Sequence, residues 1–282
     1  MQLAAMRTNV GGTAAAVFDG TGWATIATAA DVTALLARPD WRRLADAALT
    51  SGDRITAEDA QLTNPLHAPA KIVCCGLNYA DHIEETGRET PEFPTLFAKF
   101  ADTLTGPDDD ILVTGSSAID WEAELAVVIG APIRSGDRTE AQGAIFGYTI
   151  ANDVSMRDWQ SRTLQWFQGK AFDRTTPVGP VVVTADEFDP AAGAEISCLV
   201  GDELMQHSDT GRMVFDAATL VSYISGFTAL GPGDLVLTGT PGGVGVGREP
   251  RRYLADGDVL ITRIAGIGEL RNRILTKERH NS

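Results

Sequence analysis

Three acids have the type and spacing to hold a metal ion: Glu122 and Glu124, separated by one residue, and Asp153, which ends the next apolar run. Residues 121–130 read as a strand, and in a strand residues two apart face the same side. Glu122 and Glu124 therefore point together, on a face that turns apolar at Ala126 and Val128, while Trp121, Ala123 and Leu125 point the other way. Two carboxylates so placed repel each other and lose hydration unless a cation neutralises them. No Lys or Arg lies nearby in sequence, but a neighbouring strand over residues 144–151 can deliver Asp153 to the same point. Three oxygen ligands with open positions suit Mg²⁺ or Mn²⁺ better than a sulfur-loving metal. Acids at the edge of a solvated sheet face have the same spacing, so the pattern alone leaves both readings open.

A second group has the chemistry to move protons. In residues 77–87, Asn78 can cap a short helix and Gly87 can close it. On that helix His82 and Glu85 are three apart and share a face, the arrangement of a general base and the carboxylate that orients it. The same pair on an exposed helix also makes an ordinary surface ion pair. Bounded by Gly and Pro, the segment is suited to move as a lid.

Beyond Asp153, Arg157 and Gln160 are three apart on one helical face, and Lys170 follows Gly169 as a cation able to meet a carboxylate or a developing oxyanion. Lys99, in a strand expected over residues 94–101, points inward or to solvent and is a further candidate contact for an anionic substrate. Thr240 stands in a Gly-rich loop, residues 239–247. A phosphate-binding loop fails there, because Gly247 is followed by Arg248 and Glu249 rather than Lys and a hydroxyl residue. The loop reads instead as backbone that closely approaches a small ligand, with Thr240 as a hydroxyl contact.

These groups need a scaffold, and 282 residues with 44% apolar side chains can supply a large core. A formal charge of −15 argues against nucleic acid or an anionic membrane as partner, while leaving room for a small anionic substrate in a local cationic cleft. Three cysteines without paired spacing, Cys74, Cys75 and Cys198, suggest reduced, buried thiols. With no signal-peptide pattern and no apolar run of membrane-spanning length, the expectation is a cytoplasmic protein. Residues 1–66 read as a small N-terminal lobe of short strands and helices, with His67 a packing or surface histidine at its exit, and residues 67–282 as the catalytic domain. Later strands are expected near 181–184, 194–200, 203–207, 235–238, 254–262 and 264–273, and a helix over 216–230.

Five motifs in order carry a resemblance to the fumarylacetoacetate hydrolase superfamily. They are Gly76 to Glu85; Glu122 with Glu124; Asn152 and Asp153 with Arg157 and Gln160; Gly169 and Lys170; and Gly239 and Thr240 with Gly243 and Gly245. The match covers residues 71–274. It implies an α+β, mostly β fold, a mixed β-roll with a small N-terminal lobe, assembled as a homodimer. It implies Glu122, Glu124 and Asp153 as ligands of Mg²⁺ or Mn²⁺ and His82 with Glu85 as a water-activating dyad on a lid. Arg157, Gln160 and Lys170 become substrate or oxyanion contacts, and Thr240 a contact to the substrate carboxylate.

The expected activity is hydrolysis of a carbon–carbon bond in a 2,4-dioxo acid of the acylpyruvate or fumarylpyruvate type. The alternatives are oxaloacetate decarboxylation and isomerisation of a 2-hydroxyhepta-2,4-diene-1,7-dioate type of diacid. A non-catalytic ligand-binding homologue would be expected to have lost the dyad or a metal ligand, and every one of these residues is present. Residues between Glu85 and Pro94 are expected to read the far end of the substrate.

Overall fold

Two apolar runs without an exposed residue, Ala123–Ile129 and Ile145–Asn152, pair antiparallel at the centre of a twelve-stranded mixed sheet. The computed structural model describes residues 1–9, 11–85, 87 and 89–277. Thr86 and Arg88, within the stretch expected to read the far end of the substrate, lie outside the described residues. Ten strands run in the order Arg54–Thr56, Gly22–Ile26, Thr13–Phe18, Gln2–Arg7, Thr176–Thr184, Ile145–Asn152, Ala123–Ile129, Leu235–Leu237, Ile72–Gly76, Thr95–Lys99, and two lie off that path, Leu62–Thr63 on Gln2–Arg7 and Leu104–Thr105 on Thr176–Thr184. A second sheet of five strands follows the order Glu203–Asp209, Glu195–Val200, Val259–Ile264, Gly268–Lys277, Ile111–Thr114. Mixed sheets with few helices make this the expected α+β, mostly β fold.

Period-two alternation splits the central strand between two cores. Ala123, Leu125, Val127 and Ile129 join Val181, Ile196, Leu260 and Ile274, while Ala126 and Val128 join Leu3, Val17, Leu35 and Leu235. Each large aliphatic side chain so buried contributes about 1.5–3 kcal/mol of transfer free energy. The second core draws on the first 66 residues, and Gln2–Arg7 pairs directly with Thr176–Thr184 (Gln2 opposite Val183). The N-terminal strands thus extend the same sheet that holds the central pair.

The strand Gln2–Arg7 was not expected from the sequence, because its Ala-rich composition carries little strand propensity and only its pairing on both sides fixes it. The last two strands also shift: they occupy Val259–Ile264 and Gly268–Lys277, joined by a turn at Ala265–Gly266–Ile267. Asn78 is no helix cap. It is fully buried, and its amide donates to the carbonyls of Thr238 (2.7 Å) and Phe215 (2.9 Å), bracing the strand exit that leads to Ala80–Glu85. Among the described residues no helix is long and apolar enough to cross a membrane.

Candidate active site

Strand register delivers the three acids. Glu122 and Glu124 flank Ala123, which lies opposite Asn152, and Asp153 follows at once; its amide donates to the Glu122 carbonyl (2.9 Å). The Asn152 side chain accepts from the Glu122 amide (2.9 Å) and donates to Thr262 (2.9 Å), tying the pair to the second sheet. Ligand atoms of Glu122, Glu124 and Asp153 lie within 4.8 Å of one another, and all three residues are buried.

Cations absent from the local sequence arrive from elsewhere in the fold. Lys170, on the short helix Phe167–Lys170, donates to Glu122 (2.6 Å) and Asp153 (2.8 Å). Arg157 donates to Glu122 (2.7 Å), to Asp120 (2.7 Å) and to Gln160 (2.8 Å). Burial alone pushes the Glu122 carboxyl up, but Lys170 and Arg157 more than reverse this and hold it below the usual carboxylate range. Glu124 is the exception: burial, then Asp153 and Glu122, push it well up, and its hydrogen-bond partner is the Gly239 amide (2.7 Å) rather than a cation. A nearly inaccessible carboxylate beside two others, with hard oxygen donors throughout, fits a divalent cation at this point.

Lys99 is placed differently from expectation. Its fully buried ammonium pairs with Asp153 on the oxygen that Lys170 leaves, and it does not line the cavity. Its partner is a carboxylate of the protein, because the inward face of Thr95–Lys99 ends against Asp153 rather than in open space.

At the rim, His82 Nδ1 lies 3.2 Å from Glu85 Oε2 on the helix Ala80–Glu85. This pair is fastened by the Gly-rich loop. The Gly243 amide donates to both oxygens of Glu85 (3.1 and 3.2 Å), the Gly242 amide to Asp81 (3.3 Å), and the Gly245 and Val246 amides to Asp120 (2.7 and 3.0 Å). With Gly239 on Glu124, one loop's peptide N–H groups hold four acids from three other segments. Glycine is required by this approach: a Cβ on Gly243, at φ +98°, would sit 2.2 Å from the Met205 carbonyl, and one on Gly245 would sit 2.0 Å from that of Arg252. The loop's backbone therefore approaches the protein's own carboxylates, where the sequence suggested a ligand.

A cavity of about 370 Å³ joins these parts, lined by His82, Glu122, Glu124, Arg157, Gln160, Lys170 and Thr240. Apolar residues Phe97, Leu164, Trp166 and Val246 line it as well. Thr240 is held by Gln206, whose amide donates to it (2.8 Å) and whose carbonyl accepts from the Ala123 amide (3.0 Å). Asp120, fully buried, and Gln206 were not singled out from the sequence. The period-two reading that pairs Glu122 with Glu124 extends back to Asp120 and would have found it; Gln206, distant in sequence, left no local signal.

Comparison with known proteins identifies the family and its relatives. The profile of the fumarylacetoacetate (FAA) hydrolase C-terminal family matches residues 71–275. The mitochondrial oxaloacetate tautomerase FAHD2B of Bos taurus is 44% identical over 214 residues, 75% of this chain and 68% of the relative. Among solved structures, a fumarylacetoacetate hydrolase from psychrophilic Exiguobacterium antarcticum superposes with a TM-score of 0.87 at 33% identity, over 98% of this chain and all (100%) of that one. A maleylpyruvate hydrolase from Sphingobium sp. SYK-6, in complex with manganese(II) and pyruvate, gives 0.79 at 29% identity, over 98% and 99% of the two chains.

Proposed function

Because the chain belongs to the fumarylacetoacetate hydrolase family, we propose that it is a metal-dependent tautomerase interconverting the enol and keto forms of a small 2-oxo diacid of the oxaloacetate class. This is nearer to the isomerase alternative than to carbon–carbon hydrolysis. The observation that carries it is His82, paired with Glu85, lining the same cavity as Glu122 and Glu124 of the acid triad, together with the tautomerase relative at 44% identity. Glu122, Glu124 and Asp153 would hold Mg²⁺ or Mn²⁺, which when bound supplies Lewis-acid polarisation of the 2-oxo acid.

Tautomerisation moves one proton from the oxygen on carbon 2 to carbon 3 and breaks no carbon–carbon bond. Glu85 occupies Nδ1 of His82, so Nε2 is the atom that exchanges the proton with the substrate. Lys170 has three donors and uses two on carboxylates, leaving one for a substrate oxygen. Gln160 is oriented by Arg157 for a second contact, and Thr240 offers a hydroxyl to the substrate carboxylate.

The same His82–Glu85 pair is also compatible with a second reading, in which Nε2 takes a proton from water and the hydroxide adds to the distal carbonyl of an acylpyruvate. The carbon–carbon bond then breaks to give a carboxylic acid and pyruvate, whose carbon 3 takes up the proton. Loss of enol oxaloacetate absorbance and release of pyruvate from acetylpyruvate and fumarylpyruvate, each with added Mg²⁺ or Mn²⁺ and again with chelator, decide between them. The expected result is chelator-sensitive enol loss with oxaloacetate intact as the keto form. Pyruvate release from an acylpyruvate, with enol oxaloacetate decaying at its uncatalysed rate, would replace tautomerisation by hydrolysis.

A further inference from the structure

The cavity mechanism uses His82 and Glu85 but leaves unexplained another acid, Asp81, on the same short helix. Asp81 is half-buried, and its carboxylate gathers donors from three separate parts of the chain. Oδ1 accepts from the backbone amide of His82 itself (2.8 Å) and from the Gly242 amide (3.3 Å). Oδ2 accepts from the Ser208 hydroxyl at 2.6 Å, across 127 residues of sequence. Ser208 is 8% exposed and belongs to Glu203–Asp209, the strand that also supplies Gln206 to Thr240 and to the Ala123 amide.

A helix of six residues has little stability of its own, so its pose depends on such tertiary bonds. Glu85 fastens its C-terminal end to Gly243, and Asp81 fastens its N-terminal end to Gly242 and to the second sheet. Hydrogen bonds to a charged acceptor are the stronger kind. The Ser208 bond is the one that reaches outside the Gly-rich loop, and it references His82 to the same strand that positions Thr240.

We propose that Asp81 is a positioning residue, latched by Ser208, that sets how much of the protein holds His82 over the cavity before substrate arrives. The proposal rests on the reading of His82 as the proton-exchanging group. Loosening the latch lowers the fraction of molecules in the binding-competent pose, and apparent affinity falls by that fraction while the bound state, once closed, reacts as before.

Hydrogen exchange of residues 80–85 and steady-state kinetics on Ser208→Ala, Ser208→Thr and Asp81→Asn test this in the full chain. Ser208→Ala is expected to speed exchange across 80–85 by about 10-fold. It is also expected to raise KM several-fold with kcat within about twofold of wild type. Ser208→Thr keeps the hydroxyl and restores both, and Asp81→Asn repeats the effect from the other side should the serine variant fold poorly. Unchanged exchange in both Ser208→Ala and Asp81→Asn overturns the latch, as does a loss of kcat at constant KM. The exchange arm needs no substrate. A protein inactive on enol oxaloacetate that still shows the exchange change would therefore sink the functional reading and keep the latch.

Discussion

The floor of the cavity and its rim are built by different means. Glu122, Glu124 and Asp153 sit at strand ends in the middle of a sheet, fixed by register on both sides and by Asn152 beneath. His82 and Glu85 sit on six residues of helix held by side chain to peptide bonds from a loop. Register cannot slip by one residue without turning the whole strand over, so the floor is held firmly. The rim hangs on a few separable bonds and can adjust. On the proposed function, binding of the ion and placement of the proton-exchanging group would fall to parts of unequal stiffness.

The strongest way to break this division is Glu124→Gln. Turnover is expected to fall by on the order of 10³-fold, with metal affinity lost in calorimetry; wild-type rates in chelator-treated buffer would remove the floor's assigned role. Next comes His82→Ala, expected to lower kcat by about 10²-fold or more while metal and substrate still bind. If that variant weakened metal binding as much as Glu124→Gln, floor and rim would be one unit and the comparison would fail.

Asp120→Asn sharpens the comparison, because Asp120 touches both regions through Arg157 and the Gly245 and Val246 amides. An amide NH₂ would face donors there, and Arg157, still paired with Glu122, would lose the second of its two carboxylate partners. The expected outcome is a marked drop in thermal midpoint with activity down about 10- to 100-fold, read on the residual folded protein.

The smallest effect is expected far from both regions, at Asp31. It caps the helix Val32–Leu36 through the Ala34 amide (2.7 Å) and pairs with His67 (3.1 Å). Burial raises its carboxyl, but bonds from His67 and Ala34 outweigh this and leave it below the ordinary range. A depressed folded-state value means stability present above the unfolded value and lost as pH falls through the folded one. Asp31→Ala should therefore cost about 1 kcal/mol near neutrality. In urea titrations the difference should shrink below about pH 4; an unchanged gap in acid would remove the charged cap.

Much of the floor was legible because period two is a local rule: Glu122 and Glu124 two apart, and Asp153 closing the next apolar run. The dyad was legible as a three-residue spacing. The central strands were likewise readable as apolar runs, whereas Gln2–Arg7 owes its place to neighbours on both sides. Lys99, Gln206 and Ser208 gain their roles from partners 54, 34 and 127 residues away, and no local pattern encodes such distances. For the Gly-rich loop, glycine content showed that the backbone makes a close approach and Thr240 does line the cavity, but that the peptide N–H groups hold the protein's own carboxylates could not be seen.

That loop also bears on how such a site can change over generations. The Val246 peptide N–H holds Asp120 while its side chain lines the cavity. Anchoring is carried by the main chain, which every residue but proline shares. Mutation at position 246 can therefore resculpt the pocket wall without dismantling the frame that holds Asp120, so the shape of the cavity can change by single steps.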